Sequence, residues 1–156
     1  MTKRRVVVTG MGMISPIGHT VEESWQAAVA GRSGIGLNES FDTTDYSVKI
    51  CGRVRDFDVS AYMNLKEARR IDDFMQLGIA AAGQAIKDAG LASHPSDADR
   101  IGVAIGSGIG GINTIESTHG TLLKSGPRRV SPFFVPGVVI NMISGNVSIE
   151  YGFKGP

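Results

Sequence analysis

The chain has 156 residues, of which 42% are hydrophobic, and its formal net charge is +1. This length and apolar content suit one domain with a buried core, and the near-neutral charge indicates no general attraction to nucleic acid. A single cysteine excludes an internal disulfide and a cysteine-based zinc site. Because the sequence has no signal peptide and no membrane-length apolar run, we expect a cytoplasmic protein that does not enter a membrane.

The first element in chain order is a β-branched run, Val6 to Thr9, which predicts a short, buried strand. The glycines after it resemble a dinucleotide-binding fingerprint. However, Ser15 occupies the place of the third glycine, and Pro16 obstructs an immediate helix. We therefore do not expect a cofactor at this turn.

A capping-box pattern, Thr20 and Glu23, predicts the start of a helix that ends at Gly31. The periodicity then weakens, and polar turn residues predict a surface excursion around a short extended piece, Val48 to Val54. Cys51 lies in that piece, with no histidine near it in sequence and no helix start to activate it. We interpret Cys51 as a structural thiol.

Residues 66 to 89 show the strongest helical periodicity, and Gly90 marks the predicted end. Apolar residues recur there at spacings of three and four, at Ile71, Phe74, Met75, Ile79, Ala82 and Ile86. Three cations, Lys66, Arg69 and Arg70, lie at the predicted N-terminal side, where the helix dipole favours anions. They form either a solvated surface or a docking site for an acidic partner.

An alternating run from Ile101 to Ile105 predicts a second buried strand, and the glycine-rich turn GSGIGG follows at residues 106–111. Three of its glycines satisfy G-x-G-x-x-G, the pattern of a nicotinamide dinucleotide site. The acidic residue expected about 20 positions later is missing, since the next carboxylate after Glu116 is Glu150. Glycines that permit close backbone packing are the alternative, and it needs no ligand.

The last third of the chain predicts a loose helix from Ile112 to Leu123 and a second basic patch at Arg128 and Arg129. The segment SPFFVP holds two adjacent aromatics between prolines, which indicates a packed segment or an interface. Val138 to Ile149 predicts a largely buried helix that ends at Tyr151–Gly152.

Four motifs occur in order along the chain: VVVTGMGMISPIG, GSGIGG, SPFFVP and YGFKGP. Together they resemble the β-ketoacyl-acyl-carrier-protein synthases, in particular the synthase II type of bacterial type II fatty-acid synthesis. The resemblance runs over residues 1–156. It implies a thiolase-like α/β fold with layers in the order α-β-α-β-α, of which the chain covers roughly the first half, and a homodimer. The residue pattern alone indicates only the α/β class.

The family catalyses a decarboxylative Claisen condensation at a cysteine assisted by two histidines. The resemblance puts that cysteine just after the final GP motif and both histidines later still, so all three are expected beyond Pro156. Cys51 and His119 do not align with them. We therefore expect no catalytic residue, metal or cofactor in this segment. We also expect the isolated segment to be inactive and to aggregate or be partly molten, because half of a shared fold exposes apolar surface.

The resemblance also implies binding residues. Ile109 resembles the residue that lines the family's acyl-chain pocket, and Phe134 resembles one that reaches this pocket from the partner subunit. The basic surface that receives acyl carrier protein corresponds to Lys66, Arg69, Arg70, Arg128 and Arg129. Two alternatives stay open: a non-catalytic module that binds acyl carrier protein, and an NAD(P)-binding oxidoreductase of the Rossmann type.

Overall fold

The computed structural model describes residues 3–91 and 93–156. Within these ranges the chain forms six α-helices, two short strands and several single 3-10 turns. The elements in chain order are α1 Val21–Val29, β1 Ile35–Leu37, β2 Ile50–Gly52, α2 Leu65–Ala68, α3 Asp73–Asp88, α4 Ile112–Ser125, α5 Phe134–Val138 and α6 Met142–Tyr151. Strands β1 and β2 pair antiparallel, with Gly36 opposite Cys51.

Helix α3 lies at the centre of the packing. Met75 and Ile79 from α3 and Ile143 and Val147 from α6 form the buried hydrophobic core. The periodic positions predicted from the sequence all belong to this core or pack against it: Ile71, Phe74, Met75, Ile79, Ala82 and Ile86. The prediction of an amphipathic helix with this apolar face is therefore confirmed.

The predicted helix from residue 66 to residue 89 is wrong in its first part, because the structure divides it into α2 and α3. Asp72 has an extended conformation, with φ −71° and ψ 157°, and its carboxylate accepts a hydrogen bond from the Phe74 backbone N–H. An N-cap of this kind begins a new helix. Arg69 and Arg70 consequently follow the C-terminal end of α2 and do not lie in the first turn of a long helix.

The two predicted buried strands, Val6 to Thr9 and Ile101 to Ile105, are wrong as strands in the described part of the chain. A strand needs a hydrogen-bonded neighbour, and neither segment belongs to a sheet there. Val6 is 92% exposed. The second segment is better anchored, since Val103 and Ile105 pack against the α3–α6 core.

The start of the chain packs tightly on α3 just beyond Thr9. A Cβ atom at Gly10 would collide with the backbone at Ala85, and one at Gly12 would collide with the backbone at Ala81. Met11 also donates its backbone N–H to Asp88 Oδ2, at 2.9 Å. The glycines after the first predicted strand therefore serve helix packing.

The predicted capping box of α1 is confirmed. Thr20 Oγ1 accepts a hydrogen bond from the Glu23 backbone N–H at 3.1 Å. The Glu23 carboxylate accepts from the backbone N–H of His19, at 2.7 Å, so this second bond lies one residue before the N-cap N–H of a standard capping box. The helix then ends before Gly31, which has a φ of +65°.

The predicted helix from Val138 to Ile149 is wrong in its start. The aromatic segment itself forms α5, which ends at Val138, and Val139 then returns to an extended conformation before α6 begins at Met142. Ile143 and Val147 are buried as expected, whereas Ile149 is 76% exposed.

The chain exposes much more surface than a folded protein of its mass requires. Its accessible surface is 11416 Å², whereas a folded monomer of 16.5 kDa exposes about 7,500 Å². The uncovered apolar side chains include Val6, Trp25, Leu123 and Ile149. Much of this surface is thus suited to contact with further protein.

Replacing Gly111 with alanine should destabilise the protein, because a Cβ there would lie 2.9 Å from Val138 Cα and 3.0 Å from Val138 Cβ. Overpacking of this kind costs about 1–3 kcal/mol. The matched control is Gly120→Ala, since Gly120 lies within α4 with open space around it. That control should gain about 0.5–1 kcal/mol from helix propensity. Urea denaturation of the natural-length protein measures both, and a Gly111→Ala variant as stable as Gly120→Ala would contradict this packing.

Candidate functional site

The GSGIGG turn leads from the extended segment that ends at Ile105 into α4. The Ile105 backbone N–H donates to Ser144 Oγ at 3.0 Å, and the Gly110 N–H donates to Ser107 Oγ at 3.1 Å. At the end of the turn, the Gly111 N–H donates to the Val138 carbonyl oxygen, also at 3.1 Å. The turn is therefore held at its entry, within itself and at its exit.

The glycines of this turn have two different surroundings. Gly110, with a φ of +84°, and Gly111 lie directly against Val138, where a side chain would collide. Gly106 and Gly108 have no other atoms near the Cβ position within the described residues. Close packing, the alternative to a dinucleotide site, thus accounts for Gly110 and Gly111.

Ile109 lies in the middle of the turn and is 67% exposed. It borders a cavity of about 790 Å³ whose lining is largely apolar. The described residues around this cavity are Ala104, Ile105, Gly106, Ile109, Ile115, Val138, Val139, Ile140, Asn141 and Ser144. An apolar cavity of this size can hold a hydrocarbon chain.

Phe134 is the first residue of α5 and is half-buried. It does not belong to the described residues that line the Ile109 cavity. One chain therefore does not bring the two predicted acyl-chain residues into one cavity. The expected contribution of Phe134 from a partner subunit stays a prediction.

The five predicted carrier-binding cations are all exposed. Lys66 lies on α2, Arg69 and Arg70 follow its end, and Arg128 and Arg129 lie in a 3-10 turn after α4. We call these residues the basic cluster.

One member of the basic cluster makes a contact with a distant part of the sequence. The Arg70 guanidinium lies 4.3 Å from the centre of the Phe133 ring, a cation–π contact. Phe133 follows Arg129 by only four residues, so their Cα atoms are at most about 14 Å apart. The contact thus connects Arg70 to the segment that follows Arg129.

A second groove lies beside Phe133 and was not predicted. It has a volume of about 520 Å³, and its described lining is Met63, Asn64, Glu67, Arg70, Ile71, Ile79, Phe133, Pro136, Met142, Asn146, Ile149 and Glu150. Although Glu150 is exposed as a whole, partial desolvation of its carboxyl in this groove raises its pKa, and the neighbouring Glu67 carboxylate raises it further. Met142, Asn146 and Ile149 are spaced by four and three residues, so the sequence could have predicted that they share one face of a helix and form one wall of this groove.

The third groove, of about 1050 Å³, contains Cys51 and several charged side chains, including Arg53, Arg55 and Glu116. Its described lining includes no histidine. Cys51 is half-buried in the paired strand β2, as expected for a structural thiol.

The structure offers no metal centre in the residues it describes, since they contain no group of three potential ligands. His119 lies exposed on α4, and His19 packs edge-on against the Phe57 ring. Across residues 3–91 and 93–156, the helices are too short or too polar to cross a membrane.

Comparison with known proteins identifies relatives along the whole chain. Residues 3–156 match the family described as beta-ketoacyl synthase, N-terminal domain. The 3-oxoacyl-[acyl-carrier-protein] synthase 2 of Vibrio cholerae is 58% identical over 156 residues, and that of Coxiella burnetii is 50% identical over the same length. Each match includes the whole of this chain but only 38% of the relative's length.

Solved structures show the same similarity. A beta-ketoacyl synthase from Burkholderia phymatum superposes with a TM-score of 0.80 at 28% identity, covering 99% of this chain and 38% of that one. A type II PKS acyl-carrier protein in complex with its ketosynthase bound to the hexaketide matches with a TM-score of 0.73 at 26% identity, covering 99% and 41%. These matches confirm the predicted thiolase-like fold class and the resemblance on which it rested.

Replacing Glu150 with glutamine should stabilise the protein at neutral pH but not in acid. A carboxyl whose pKa rises on folding contributes its full stability below the unfolded pKa of about 4.3 and loses it as the pH increases through the folded value. The glutamine variant lacks this loss. Its melting temperature should therefore exceed that of the unmodified protein at neutral pH and equal it well below the ordinary glutamate pKa.

The control for this experiment is Glu39→Gln, which alters an exposed carboxylate outside the second groove. Thermal melts across the acidic and neutral range provide the measurement. A difference between Glu150→Gln and the unmodified protein that does not change with pH would contradict the assignment.

Proposed function

The chain belongs to the β-ketoacyl synthase family, and from this premise we propose that it contributes the N-terminal domain of a fatty-acid elongation enzyme. The proposed reaction condenses an acyl group on one carrier protein with malonyl-carrier protein to give 3-oxoacyl-carrier protein, carbon dioxide and the first carrier protein as its free thiol. The observation that carries the proposal is the sequence identity of 50–58%, along the whole chain, to enzymes named 3-oxoacyl-[acyl-carrier-protein] synthase 2. The chain spans less than half of their length.

The proposed chemistry uses a cysteine thiolate that takes the acyl group from its carrier as a thioester. Malonyl-carrier protein loses carbon dioxide, and the resulting carbanion attacks the thioester carbonyl. The carbon–carbon bond forms, and the cysteine leaves as thiolate. We expect this cysteine and its two histidines beyond Pro156, so the present segment alone should not catalyse condensation.

The role we propose for the present residues is binding. The Ile109 cavity is apolar and open at the turn, which suits the acyl chain. Phe134 would approach this cavity from the partner subunit of a homodimer. The exposed extended segments would pack against further parts of the protein, which the excess accessible surface supports. We also propose a cytoplasmic location.

The basic cluster is the proposed docking surface for acyl carrier protein. Its five exposed cations would attract an acidic partner over distances of about a Debye length, about 8–10 Å at moderate salt. Docking is favoured when the cations are held in place, and the contact with the Phe133 ring holds the Arg70 guanidinium. A carrier protein bound to a ketosynthase in a similar structure supports this use of the fold.

A second function, non-catalytic binding of acyl carrier protein, is favoured by the same basic cluster. This function needs no residue beyond the described surface. The two functions differ in one observable, because only the synthase releases carbon dioxide from malonyl-carrier protein. The oxidoreductase alternative has no comparable support, since the relatives named above are synthases.

Reversing two charges of the basic cluster should weaken carrier binding selectively. An exposed ion pair contributes about 0.2–1 kcal/mol, so the double variant Arg69→Glu/Arg128→Glu, which replaces attraction by repulsion, should raise the KM for acyl-carrier protein about tenfold. The kcat should change little. Steady-state kinetics in the natural-length protein provides the measurement, and high salt should reduce the difference.

Two controls sharpen this experiment. A small acyl thioester without carrier protein should keep its KM, and Lys49→Glu, which alters an exposed cation outside the cluster, should leave both substrates unaffected. Equal KM values for carrier-bound substrate in the double variant and the unmodified protein would refute the docking surface.

A further inference from the structure

The Asp72 carboxylate contacts two helices at once. Asp72 is only 6% exposed. Its Oδ1 accepts a hydrogen bond from the Phe74 N–H in the first turn of α3, at 3.4 Å. Its Oδ2 accepts a shorter one from the Thr114 N–H in the first turn of α4, at 2.9 Å. First-turn N–H groups have no partner within their own helix, so one carboxylate caps both.

Helix α4 has no other side-chain cap in its own sequence. Its N-cap residue is Gly111, which has no side chain to accept a hydrogen bond. A negative charge at the N-terminus also interacts favourably with the helix dipole. Asp72 therefore provides from α3 what the GSGIGG turn cannot provide, and it does so directly after that turn.

The backbone of Asp72 adds a third connection. Its N–H donates to the Gly137 carbonyl oxygen at 3.1 Å, and Gly137 belongs to α5, which begins with Phe134. A Cβ at Gly137 would lie 2.6 Å from the Arg70 carbonyl oxygen, so α5 and the chain before α3 are in close contact. Asp72 thus connects to the turn of Ile109, to the helix of Phe134 and, through the chain, to Arg70.

We propose that Asp72 is a positioning residue for acyl-chain selection, because it fixes α4 and α5 relative to α3. This inference rests on the proposed synthase function and deepens it. Capping α3 alone would need only one acceptor, as serine or asparagine provides. The second carboxylate oxygen accepts a hydrogen bond from Thr114 of α4, the helix that begins where the Ile109 turn ends. Its loss would release the first turn of α4 and change the shape of the apolar cavity, which Ile115 of α4 lines.

The test compares Asp72→Asn and Asp72→Ser with the unmodified protein at its natural length. Asparagine has one oxygen, so it cannot provide a separate acceptor for each N–H. Serine still caps α3 well, but its side chain is too short to accept the hydrogen bond from the Thr114 N–H as well. The matched control is Asp73→Asn, which changes the exposed neighbour in the same turn.

The readout is kcat/KM for a medium-chain and a long-chain acyl-carrier protein, expressed as a ratio. We expect both Asp72 variants to change this ratio by about tenfold, within the range over which pocket contacts discriminate substrates. Asp73→Asn should keep the original ratio. A purely structural role would lower both rates in proportion and leave the ratio unchanged, and that result would overturn the inference.

The same assay separates this inference from the proposed function. An unmodified protein that turns over neither substrate would refute the synthase function and the inference with it. Turnover by the unmodified protein, with an unchanged ratio in Asp72→Asn and Asp72→Ser, would refute the positioning role alone.

Discussion

The buried carboxylate of Asp72 is the interaction on which the arrangement of this chain depends. It begins α3, the helix that provides half of the core, and it caps α4 through the Thr114 N–H. A hydrogen bond from the same residue reaches α5 at Gly137. A buried carboxylate is costly unless its oxygens are paired, so the burial of Asp72 depends on both helix ends being in place. The elements with Ile109 and Phe134 are thereby held around one helix end.

The sequence allowed prediction of features that depend on near neighbours. The apolar spacing of α3 and the Thr20–Glu23 capping box are local patterns, and both are confirmed. The break at Asp72 was not predicted because Ile71 continues the apolar periodicity across it. The cap of α3 is itself local, since Asp72 and Phe74 are two residues apart, whereas the second hydrogen bond comes from Thr114 of α4, distant in sequence.

Non-local contacts also explain the other errors. Val6 to Thr9 has the composition of a strand, but a strand forms only with a partner, and the described residues supply none. The contact of Arg70 with the Phe133 ring joins residues far apart in the sequence, and no local spacing encodes it. The resemblance to a known family grouped these cations without that contact, and the roles of the individual residues stay predictions.

The proposed function requires that the protein to which this chain belongs joins two carrier-bound acyl groups with loss of carbon dioxide. Mass spectrometry of the carrier protein tests it most directly, after incubation of the natural-length protein with acyl-carrier protein and malonyl-carrier protein. We expect a 3-oxoacyl-carrier protein two carbons longer than the starting acyl group, and its formation should stop after thiol alkylation. Unchanged carrier species with a properly folded, carrier-binding protein would contradict the synthase and favour the binding module.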